Sequence, residues 1–105
     1  MIIDVDPRRE DAKFQLLDMD VFHALKLVIH TENPNTDPSD AAADLGEWNG
    51  SHIFIKPEKL CELAGKRALD LAWTKKLDSM VAYAISSGWA DDEGALRLHV
   101  EYIQD

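Results

Sequence analysis

The sequence predicts an α+β fold: a small single domain, mostly helical, with a long central helix and a small antiparallel β-sheet or hairpin. Two stretches carry this prediction. Residues 66–88 repeat apolar side chains at helical spacing, and residues 95–103 alternate apolar and polar side chains. A chain of 105 residues with 46% hydrophobic content is also long enough to bury one core without metal or disulfide staples.

The long helix comes first because the other elements are expected to pack on it. Leu69, Ala72, Trp73, Leu77, Met80, Val81, Ala84 and Ile85 follow the i, i+3, i+4, i+7 recurrence of one buried stripe. Leu71, Lys75, Asp78 and Ala82 form the opposite face, where Leu71 stands out as an exposed leucine. Gly88 sits at the left-handed C-terminal cap, and Trp89 follows as the apolar residue that folds back on the last turn.

From the start of the chain, Ile2, Ile3 and Val5 suggest a brief extended segment. Asp6 and Pro7 would then cap a helical turn to about Lys13. Phe14, Leu16, Leu17 and Met19 fit neither period. Asp18 or Asp20 caps a predicted helix through Val21, Phe22, Leu25, Val28 and Ile29, ending by Thr31. Residues 32–40 are turn-forming throughout, and a short helix through Ala41 to Ala43 and Leu45 closes at Gly46. Gly46 and Gly50 frame a second turn region around Trp48. Residues 52–55 read as a strand stopped by Pro57, which opens a helix through Leu60, Cys61, Leu63 and Ala64 to Gly65. After the long helix, Asp91, Asp92, Glu93 and Gly94 form an acidic turn. Leu96, Leu98, Val100 and Tyr102 then share one strand face, with Trp89 and Ala90 as the facing arm of a hairpin.

Charge limits the partners. The net charge of -9 repels nucleic acid and anionic membranes. It is unevenly spread: residues 56–76 hold six basic and three acidic side chains, a local +3, and the remainder carries -12. Such a dipolar layout can orient a charged partner. The lone Cys61 forms no internal disulfide, the start MIIDVDPRRED is not a leader, and no segment reaches the roughly 20 apolar residues of a membrane span. A soluble cytoplasmic protein is expected.

Motifs for chemistry are missing. His23, His30, His52 and His99 lack the close repeated spacing of metal ligands, so neither metal nor cofactor is expected. Cys61 has no histidine at helical spacing and reads as a small hydrophobe. Glycines 46 and 50 are not followed by Gly-Lys-Ser/Thr, which excludes a phosphate loop. The densest group of functional residue types is residues 46–52, where Glu47 and His52 beside Trp48 are the candidates for an enzyme site.

The order of Pro57, Leu60, Leu63, Ala64 and Gly65, then Leu77, Val81, Gly88 and Trp89, then Gly94 and Leu96, resembles a winged helix-turn-helix domain over residues 52–103. The resemblance implies a groove-reading second helix, with Lys66, Arg67, Lys75 and Lys76 near DNA phosphates. The would-be wing is Asp91, Asp92 and Glu93, which suits the protein-interaction use of such domains better than DNA. The leading expectation is a regulatory or protein-interaction module without catalysis. It would bind a partner protein or a second copy through Trp48, Trp89 or Leu71, because tryptophan is enriched at binding hot spots.

Overall fold

The computed structural model describes residues 1–6, 8–9, 14–22, 25–31 and 43–104. Its strands are β1 (Ile2–Val5), β2 (Phe14–Leu17), β3 (Lys26–Thr31), β4 (Gly46–Trp48), β5 (Ile53–Ile55) and β6 (Leu96–Gln104). Between β5 and β6 lie helix α1 (Pro57–Ala64), a 3-10 turn (Gly65–Leu69) and helix α2 (Leu71–Ser86). All six strands join one mixed sheet in the order β2-β1-β3-β6-β5-β4. β1, β3 and β6 run parallel as neighbours, and β2, β5 and β4 add antiparallel pairings outside them.

The expected fold class is overturned. The chain is not mostly helical around a small antiparallel sheet: its strands form one six-stranded mixed sheet. The decisive element is β3. Leu27, Val28 and Ile29 are buried in succession, as befits a strand covered on both faces. A continuous apolar run of that kind has no period to separate strand from helix, and the spacing of Val21, Phe22, Leu25, Val28 and Ile29 imitates a helix by coincidence. Phe14 to Leu17 resolve as the edge strand β2, and Asp18 turns the chain with φ of 52°.

Further differences are local. The long helix begins at Leu71, not Lys66, because residues 65–69 form the 3-10 turn and Asp70 caps α2 by accepting from Ala72 N at 2.9 Å. Leu69, Ala72 and Ile85, assigned to the buried stripe, are exposed, while Trp73, Leu77 and Ala84 are buried as expected. Residues 46–48, read as a turn, form β4. Gly46 is required there by close approach, since a Cβ would lie 2.0 Å from the Phe54 carbonyl oxygen. The turn at residues 32–40, Ala41 and Ala42 of the helix before Gly46, and most of the turn after Asp6 lie outside the described residues; residues 43–45 form a turn leading into β4, not the end of a helix.

Other elements stand where the sequence put them: β1, β5, α1 and the alternating strand β6. Arg97 N donates to Trp89 O at 2.8 Å and Ala90 bridges Leu96, so the short facing arm exists. Asp91 Oδ1 shapes the acidic turn by accepting from Glu93 N and Ala95 N.

The core lies between one face of the sheet and the two helices. Ile3, Val5, Leu27, Ile29, Ile53, Ile55, Leu96 and Leu98 point to this side and meet Leu60, Ala64, Trp73 and Leu77. α1 lies against β2 and α2 returns along β6. Trp73 ties the layers: its ring tilts against Phe22 at 6.0 Å and its Nε1 donates to Met19 O at 2.8 Å. Truncating Ile29 to alanine should cost about 2–5 kcal/mol, whereas Leu71→Ala, at 76% exposure, should stay within about 0.5 kcal/mol. Urea unfolding of the two variants checks this; equal costs would contradict the sheet-centred core.

Candidate functional site

The C-terminal end of α2 builds the most distinctive surface. Gly88, with φ of 78°, lets the chain leave the helix in a Schellman turn: Trp89 N donates to Ala84 O at 2.8 Å and Gly88 N to Ile85 O at 3.2 Å. This fixes the backbone of Trp89 beside the last helical turn. The Trp89 and Tyr83 rings meet edge to face at 5.5 Å, yet Tyr83 remains 62% and Trp89 45% exposed. The pair walls an apolar depression of about 260 Å³, lined also by Phe22, Leu25, Met80 and Leu96. Phe22, Met80 and Tyr83 continue into a second depression of about 430 Å³, where Lys75, Lys76 and Ser79 complete the lining. The two form one groove along α2.

The sequence-predicted residues distribute unevenly around this groove. Trp89 is on its wall. Trp48 is half-buried on β4 and packs against the core. Leu71 is exposed one turn before Lys75 but does not line the groove. Among the four cations of the nucleic-acid alternative, Lys75 and Lys76 rim the groove, Lys66 is exposed on the 3-10 turn, and Arg67 pairs with Asp20.

A separate cleft of about 410 Å³ lies at the β4 edge. Glu47, Glu58, Glu62 and Glu93 line it together with Lys56 and Lys59. Glu47 reaches this cleft and His52 does not line it, so the two candidates for an enzyme site do not converge there. His52 belongs to a tight turn in which Asn49 Oδ1 accepts from Ser51 N and His52 N at 2.9 and 2.8 Å. Cys61 is half-buried, and burial, with Asp78 and Glu58 nearby, pushes its thiol up, away from the thiolate that a nucleophile requires.

One cluster escaped the sequence reading. Asp4, on the sheet face opposite the helices, is only 8% exposed and receives Arg9 Nη2 at 2.5 Å, while its other oxygen lies 2.6 Å from His30 Nε2. Arg9 Nη1 also donates to Gln15 Oε1 at 3.1 Å. The parallel pairing of β1 with β3 brings Asp4 and His30 together. The alternation Ile3, Asp4, Val5 was the available signal for Asp4; His30 required knowing that β3 is a strand. Arginine and imidazole together occupy the carboxylate, so the cluster binds the β1 end to β3. His23 lies outside the described residues, and among those described no three His, Cys, Asp or Glu side chains are grouped to hold a metal ion.

Compared with known proteins, the chain matches no family model, no curated protein and no solved structure. Among the described residues, no helix is long and apolar enough to cross a membrane.

At the end of β1, the hydrogen bonds of the Arg8 guanidinium hold the Asp6 carboxyl down at about 2, from an ordinary 3.8. A depressed carboxylate stabilises the fold above its unfolded value and loses that contribution as pH falls through its folded value. The contribution of Asp6 should thus be complete above pH 3.8 and fade towards about 2. Carboxyl-carbon NMR titration should show this midpoint, and Arg8→Ala should raise it towards the ordinary value, with the Arg8 backbone N–H and Arg9 still holding it somewhat down; an unmoved midpoint would break the assignment.

Proposed function

We propose that the chain is a small protein-interaction module that acts by binding, without chemistry of its own, and that its binding surface is the groove along α2. The Tyr83–Trp89 pair carries this reading. Two large aromatic side chains, held by a helix cap and left half in water beside an apolar groove, are costly to solvate and cheap to bury against a partner. Tryptophan and tyrosine lose few rotamers on binding, so the Schellman turn that orients Trp89 also lowers the entropy cost of association.

The charge layout supports a protein partner over nucleic acid. Lys75, Lys76 and Arg97 are too few cations to offset a chain of net -9 against a phosphate backbone. With a lone, unactivated thiol, the module is suited to a reducing cytosol.

Titrating the isotope-labelled protein with pooled random peptides should shift amide signals around Met80, Tyr83 and Trp89. The double variant Tyr83→Ala, Trp89→Ala should lose that response while unfolding at a similar temperature, because both side chains are largely exposed. Shifts centred on Asp4 and His30, or on Glu47, would move the binding site and retire the groove.

A further inference from the structure

The rim of the groove identifies the chemistry of its occupant. Among the described residues, the charged ones that line the two depressions are all basic: Lys75 and Lys76 on α2, and Arg97 near the start of β6. The chain as a whole holds 20 acidic against 11 basic residues, so a rim whose described charged residues are all basic is unlike the rest of the sequence. By contrast, the β4 cleft mixes lysines with an excess of carboxylates. We propose that the groove takes an acidic amphipathic segment of another protein, one that offers apolar anchors to Phe22, Met80 and Trp89 and carboxylates to Lys75 and Lys76. The proposal rests on the groove being the binding surface and adds the class of partner.

A second copy of this chain fits less well. A two-fold dimer sets the same patch against itself, which would bring the lysines of both copies into one interface with no carboxylate among the described lining residues to offset them. An acidic segment instead neutralises the rim while its apolar side fills the floor. Opposite charges at a rim act mainly on the rate of encounter and the choice of partner, and the buried apolar contact supplies most of the hold. Binding should therefore weaken with salt without vanishing.

The test is selection of short random peptides displayed on phage against the whole protein. Two variants are screened in parallel: Lys75→Glu with Lys76→Glu, and Tyr83→Ala with Trp89→Ala. The expected winners combine Leu, Phe or Trp with an excess of Asp and Glu, and they bind the lysine-reversed protein about tenfold or more weakly. They should lose binding to the aromatic double variant as well. Neutral or basic winners that still depend on Tyr83 and Trp89 would overturn the acidic partner and leave the groove standing. Winners indifferent to Tyr83 and Trp89, or no winners at all, would overturn both. Sedimentation of the unliganded protein should show a monomer; a dimer dissolved by Trp89→Ala would assign the groove to a second copy instead.

Discussion

The structure depends on the burial of β3 between two parallel neighbours. Residues 26–29 pair with Ile2–Val5 on one side and the whole of β3 pairs with β6 on the other, so the apolar middle of the strand sits in the ladder on both edges. Its side chains then divide the molecule. Leu27 and Ile29 face the helices, while Val28 and His30 face the other way, where His30 meets Asp4. β1 is held to β3 by its ladder and by this side-chain contact. The buried faces of β1, β3, β5 and β6 together make the floor on which α1 and α2 rest.

That floor explains why the groove exists. α2 is anchored near its start by Trp73, whose ring and indole nitrogen engage Phe22 and Met19, and along its length by Leu77 and Ala84. The Schellman turn then sends the chain back to the sheet, where Arg97 N donates to Trp89 O and Asp91 N to Ala95 O. Both ends of the helix are thus fixed, yet Tyr83 and the outer edge of Trp89 find no cover within the described residues. A helix that packs by a narrow stripe over a sheet leaves such a shelf. Here, among the described residues, its floor is apolar and the charged residues of its rim are basic.

Much of this architecture was legible where local signals are strong. Pro57 at the first turn of α1, the alternation of β6 and the Gly88–Trp89 cap each follow from the chemistry of a few neighbouring residues. What was hidden is long-range. The parallel pairing of β1, β3 and β6 joins residues 26 and 99, and nothing near Lys26 announces that partner. A strand covered on both faces also loses its alternation, which is why β3 passed for a helix and the fold for a mostly helical one. The candidate site was legible in pieces: Trp89, Lys75 and Lys76 stood out as residue types and Met80 as part of the helical stripe, but Phe22 and Arg97 join them only through the tertiary fold.

Native-state hydrogen exchange across the whole chain tests the central claim most directly, because it ranks the elements by the free energy needed to open them. If the parallel strands hold the fold, the amides of Leu27, Val28 and Ile29, with those of β6 beside them, exchange slowest, and α2 from Ser79 onwards opens earlier. If α2 proves the most protected element and β3 exchanges before it, the helix organises the domain, and the account of a sheet that leaves the groove as its shelf fails.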